Sequence, residues 1–481
     1  MMKKMTKHLL LIAFAISFLA SCEKNSSGAD PMGNDEINDF IWQGMNTYYL
    51  WQQESPDLRD RFTTFQQIWD FYADFNSPRD VFNSLLYQPG TVDRFSWIVD
   101  DYVALENSFQ GINTSTGMEF GLVRYDNNAS NVFGYVRYII PNSNAETQGV
   151  TRGMLFSEVD GTQLTESNFN SLLFGENASF TISLADFNGG NPVPNGNTIT
   201  LSKTQLQENP IHLVTTITEG ANKIGYLMYN QFSGTFDGQL NDAFATFQSE
   251  NITDLIIDLR YNGGGSVRTA TYLGAMVTGQ FDGQLFSREV WNQKVQDALE
   301  PEDFVNNFTN QLNNGAINEP INNLNLNRVF FITTRSSASA SELVINSLSS
   351  YIDVQTVGVT TIGKVHGSAT LYDSDNFLRT GDNLNPDHTW AMQPLILEIV
   401  NSAGSNAPGG IVPTVPLAED YGNLGVLGDR SDPLLDRTIV LITTGSRAST
   451  SKSSDIFLEE IGSSQLARPT SNNMYKELKQ R

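Results

Sequence analysis

The chain has 481 residues, is 40% apolar, and carries a net charge of −24 from 29 Lys and Arg against 53 Asp and Glu. That length allows several domains and a sizeable core, and 29 Phe, 16 Tyr and 6 Trp exclude a disordered or fibrous chain. The acidic balance would repel a phosphate backbone, so nucleic acid is excluded as a partner; one cysteine and four histidines exclude a disulfide framework and a multi-cysteine zinc site, and no metal or cofactor is expected.

The first segment concerns address. Lys3, Lys4 and Lys7 precede an apolar run from Leu9 to Leu19, followed by Ala20, Ser21 and Cys22. Residues 1–21 read as a secretory leader, too short to span a membrane as a stable helix. Small residues before the single cysteine resemble a bacterial lipobox, which implies that Cys22 is lipidated and that the chain is anchored by lipid in the cell envelope, periplasmic or surface-exposed. Residues 22–34, rich in Ser, Gly, Asn and Asp, read as a flexible tether.

Along the remaining chain, residues 35–111 place apolar side chains three or four apart (Ile37, Phe40, Ile41, Met45; Phe65, Ile68, Trp69), which predicts a small helical cap. Residues 112–205 change to short β-like runs separated by Gly, Asn and Pro turns, a compact β-rich module. From 206 to 481, strand-like runs (KIGYLMY, TDLIIDLR, NRVFFIT) alternate with helical patterns near 237–249 and 340–351. The prediction is a multidomain α/β protein whose core has parallel strands. Asn-rich stretches at 305–327 and 401–411 read as loops.

Three segments of that core carry chemistry. The strand at 327–333 leads through SSASASE into a helix, placing a serine where unsatisfied helix N-terminal amides could stabilise an oxyanion. TDLIIDLRYNGGGS ends a buried-type strand with Asp258, Arg260 and three glycines, where backbone can approach a ligand and donate an N–H. Lys364 follows another apolar strand with no acid between Thr356 and Leu371, and partial withdrawal from water would lower its pKa. Each alone has a plainer reading: a helix cap, a structural turn, a surface lysine.

Together the three segments resemble the C-terminal processing peptidases, or tail-specific proteases, serine peptidases with a Ser/Lys dyad. Their nucleophile lies in an SASE-type sequence, and their lysine follows a glycine about 25 residues on. Ser339 of Ser339-Ala340-Ser341-Glu342 lies 25 residues before Lys364, which follows Gly363. The resemblance implies Ser339 as nucleophile, Lys364 as base, the amides of Gly264 and Ala340 as oxyanion hole, a structural role for Asp258-Leu259-Arg260, and a crotonase-like core. Many members carry Gln or Glu four residues after the lysine to orient it; here that position is Ser368, whose hydroxyl could take over that role by hydrogen-bonding the ammonium. His366, on the same side of an extended segment as Lys364, lacks an evident Asp partner and reads as structural, as do His212 and His388.

Upstream, GMEFGLV (117–123) and the runs after it resemble the PDZ domain these peptidases carry. Such a domain captures a chain terminus as an added strand, which implies a peptide-binding edge at Phe120, Gly121, Leu122 and Val123. Glu119 departs from the pattern, since its charge disfavours a terminal carboxylate unless it points away. The expected function is an envelope-anchored endopeptidase acting on unfolded or C-terminally exposed protein chains. The alternative is a non-catalytic lipoprotein that binds peptide termini or hydrophobic ligands on the same fold.

Overall fold

The computed structural model describes residues 34–126, 128–187, 191–448 and 458–478. The leader, Cys22 and the tether up to residue 33 lie outside the described residues.

The helical cap begins with Asn34–Tyr48, whose Ile37, Phe40, Ile41 and Met45 are all buried. Two shorter helices follow, Phe65–Tyr72 capped by Thr64 and Pro78–Ser84 capped by Ser77 with Pro78 in the first turn. Their apolar faces close on Leu371 and Met392 of the core. The strand Trp97–Val99 pairs antiparallel with Ala391–Gln393, tying cap to core.

The β-rich module is a seven-stranded antiparallel sheet packed on the short helix Phe169–Phe174. Alternating residues of Met118–Tyr125 and Asn128–Ile139 supply its interior, among them Phe120, Leu122, Val132 and Val136. The edge strand is unexpected from sequence order. Glu460–Ser463, near the other end of the chain, pairs antiparallel with Met118–Tyr125, setting Gly121 opposite Ser463 and Leu122 opposite Gly462.

The core is built on a six-stranded sheet in the order Ile211–Glu219, Asn222–Tyr229, Asp254–Asp258, Arg328–Thr333, Asp353–Gly358, Val415–Pro416, parallel after its first antiparallel pair. Helices Asp237–Glu250, Val267–Thr278 and Ala340–Leu348 cover one face, and Pro433–Thr444 covers the other. The central strands are buried on both faces, which explains their unbroken apolar runs. A second six-stranded sheet runs Gly265–Ser266, Met474–Tyr475, His366–Ser368, Leu395–Asn401, Leu285–Trp291, Val305–Asn307. The Asn-rich stretch 305–327, expected as loop, contributes that last strand and a small hairpin, Gln311–Asn313 with Asn318–Pro320; strands of three residues are too short to show a period.

Candidate active site

Ser339 sits at the turn between the strand Arg328–Thr333 and the helix Ala340–Leu348, with φ +66° and ψ −115°. A side chain in that region of backbone space costs about 1–3 kcal/mol and persists only where its surroundings enforce it. Here they do: Ser337 Oγ donates to the Leu259 carbonyl at 2.8 Å, Ala338 N–H to the Asn262 carbonyl at 3.2 Å, and Ser341 Oγ to that same carbonyl at 3.0 Å. Ser341 is thus engaged in holding the turn, while the buried Ser339 Oγ has no hydrogen-bond partner among the described residues. An unpartnered buried hydroxyl is available to react.

Lys364 enters from the loop after Asp353–Gly358. Burial pulls its pKa down from 10.5 to about 7, against the opposing pull of Asp93 and Glu342. The sequence showed no acid beside it; both carboxylates arrive from elsewhere in the fold, yet desolvation prevails. Glu342 joins the two halves of the site. Its carboxylate accepts from the N–H groups of Ser339 at 2.7 Å, Gly363 at 2.6 Å and Lys364 at 2.9 Å, and from Thr361 Oγ1. From sequence this glutamate is only an acid in a first helical turn. No local signal reveals that it clamps the backbones of residues 339 and 364 together.

Two of the remaining candidate residues have other partners in this structure. Ser368 makes no hydrogen bond to the lysine among the described residues; its Oγ lies 2.9 Å from Asn473 Oδ1 and 3.1 Å from the Met474 carbonyl oxygen. Lys364 Nζ instead donates to the Asn472 carbonyl at 2.7 Å and lies 3.5 Å from Asn473 Oδ1. Both acceptors come from the two residues just before the strand Met474–Tyr475. The Gly264 amide, expected in the oxyanion hole, donates to Asn262 Oδ1 at 2.8 Å. Gly264 nonetheless lies against the nucleophile: a Cβ there would stand 2.6 Å from Ser339 Cβ and 2.7 Å from the Asn473 carbonyl oxygen, on a backbone with φ +112°. The Ala340 amide, at the helix start, has no acceptor among the described residues.

Asp258 and Arg260 form a fully buried pair at 2.7 Å, extended by Asp432 at 2.8 Å from Arg260. The network anchors the strand whose end becomes the glycine turn. His366 packs edge-on against Trp51 with ring centroids 5.1 Å apart, and burial lowers its pKa. Glu119 does not point away to solvent: it is buried, and Arg468 pairs with it.

The parallel core, with Ser339 at a strand-to-helix turn, is an arrangement a serine hydrolase can use. Residues 223–395 match peptidase family S41, and residues 36–97 match the peptidase S41 N-terminal domain. Both matches are to S41 peptidases, and the chain is a serine-type peptidase. Among solved structures, a Bacteroides fragilis chain described as an S41 protease is 21% identical, with a TM-score of 0.62 over 88% of this chain and 100% of that one. The photosystem II D1 C-terminal processing protease is 16% identical over 81% of this chain and 94% of its own, with a TM-score of 0.45. No curated protein matches the chain.

Proposed function

We propose that this peptidase cleaves unfolded or C-terminally exposed protein chains through a Ser339/Lys364 dyad, and that Cys22 carries a lipid anchoring it in the bacterial envelope. The observation that carries the dyad is that Glu342 holds the backbone N–H groups of both Ser339, whose buried hydroxyl has no partner among the described residues, and Lys364, whose pKa burial lowers to about 7. Ser339 Oγ attacks the scissile carbonyl while neutral Lys364 takes its proton and later returns it to the leaving amine. The Ala340 amide and the helix N-terminus stabilise the oxyanion, and Gly264 supplies the second donor once its N–H turns from Asn262 Oδ1. Neutral Lys364 can keep donating to the Asn472 carbonyl while its lone pair accepts from Ser339.

The 112–205 module is the natural selector of substrate, because its sheet has an edge at 120–123 that takes an extended strand. A fluorophosphonate probe tests the dyad. It should label wild type and leave Ser339→Ala unlabelled, and labelling should collapse in Lys364→Arg, which keeps the charge but cannot act as base. Undiminished labelling of Lys364→Arg refutes the lysine's role. Metabolic labelling with a fatty acid should mark wild type and not Cys22→Ala; equal labelling refutes the anchor.

A further inference from the structure

The last described segment of the chain lies in both places where a substrate strand would lie. Its first part, Glu460–Ser463, adds antiparallel to the PDZ-like edge, with Ile461 against the cluster of Phe120, Phe169 and Leu173. Immediately after it, Ser464 Oγ accepts from Phe120 N–H of that strand at 3.1 Å and donates to Glu119 Oε2 at 2.8 Å. Its second part, Met474–Tyr475, inserts between Gly265–Ser266 and His366–Ser368, parallel to both. Just before that strand, the Asn472 carbonyl holds Lys364 Nζ, and the Asn473 carbonyl crowds the same spot beside Gly264 as Ser339 does.

A strand set between two others, led in by a turn that puts one carbonyl on Lys364 and the next beside Gly264 and Ser339, fills the space a peptide substrate needs. Ser339 is 0% exposed and Lys364 2%, so no polypeptide reaches the hydroxyl until a covering segment leaves. Residues 472–475 lie directly on the base and the glycine turn. Elsewhere the segment is held largely by polar contacts: Glu460 to Arg137 at 2.6 Å, Arg468 to Glu208 at 2.9 Å and Lys476 to Glu289 at 2.6 Å, with Ile461 and Met474 as apolar anchors.

We propose that residues 458–478 are an intramolecular competitor for polypeptide substrate. The enzyme rests with its own tail in the PDZ-like edge and the catalytic cleft, and an incoming chain is cleaved only after displacing it. The inference rests on the peptidase reading above.

Leu122 and Gly462 are register partners, so Leu122→Cys with Gly462→Cys places two thiols across the tail and the sheet; Cys22→Ser removes the third. Oxidised, this chain keeps its tail locked; reduced, it can release it. Cleavage of casein and fluorophosphonate labelling should both be at least about tenfold slower in the oxidised form than after reduction. Equal rates in the two redox states overturn the proposal. If neither state cleaves or labels, the peptidase reading has failed, and displacement is decided separately in the full chain carrying Ser339→Ala. There, saturating casein should speed amide hydrogen exchange at 460–463 and 472–475 by about tenfold; unchanged exchange overturns it.

Discussion

Replacing Lys364 with Met should stabilise the protein at neutral pH while abolishing its activity. The lysine keeps a proton in the unfolded chain to about its ordinary 10.5 but in the folded chain only to about 7. The unfolded state therefore binds more protons throughout that window, and wild-type stability rises with pH across it. The burden of withdrawing the amine from water amounts to about 4 kcal/mol at pH 7 and about 2 kcal/mol at pH 9. Met fills similar volume with nothing to ionise, but it strands the Asn472 carbonyl that Nζ now satisfies, a loss of about 1–3 kcal/mol. The net gain is about 1–3 kcal/mol at pH 7, shrinking to nearly nothing at about pH 9. Urea unfolding of both proteins at the two pH values reads it as a shift in midpoint at unchanged slope. A Lys364→Met protein less stable than wild type at pH 7, or a gain that grows with pH, would refute a desolvated lysine.

The same lysine sets the rate: kcat/KM should rise about tenfold from pH 6 to pH 8 as the amine loses its proton and then level off, and His366→Ala should keep that limb. A limb that moves with His366→Ala would assign it to the histidine. Glu342→Gln exchanges one acceptor oxygen for a donor facing either the Ser339 and Lys364 N–H groups or the Gly363 N–H and Thr361 hydroxyl; it should lower kcat by at least about tenfold with little change in KM and destabilise by about 1–3 kcal/mol. An unchanged kcat would remove its positioning role. Gly264→Ala drives a methyl against Ser339 and the Asn473 carbonyl on a left-handed backbone, and kcat/KM should fall about a hundredfold, whereas near-normal activity would show that the turn is not part of the site.

Much of the core was legible because its signals are local. Unbroken apolar runs mark strands buried on both faces, such as Asp254–Asp258, and the small polar stretch before Ala340–Leu348 marks the strand-to-helix turn. What escaped depends on contacts between segments well apart in the chain. Glu342 reads as an ordinary first-turn acid until the loop at 361–364 folds onto it. Ser368 seemed the substitute partner of Lys364 because sequence shows only neighbours, whereas the acceptors, Asn472 and Asn473, come from over a hundred positions away. Strands as short as Glu460–Ser463 and Met474–Tyr475 have too few residues for any period, so their placement in two different sheets has no signature in the sequence.

The central claim is tested most directly by incubating casein with equal amounts of wild type, Ser339→Ala and Lys364→Arg at pH 8 and following new termini by mass spectrometry. The account predicts cleavage by wild type alone, with both variants at the same floor. Cleavage by Ser339→Ala at the wild-type rate would contradict it, as would a Lys364→Arg enzyme that retains activity.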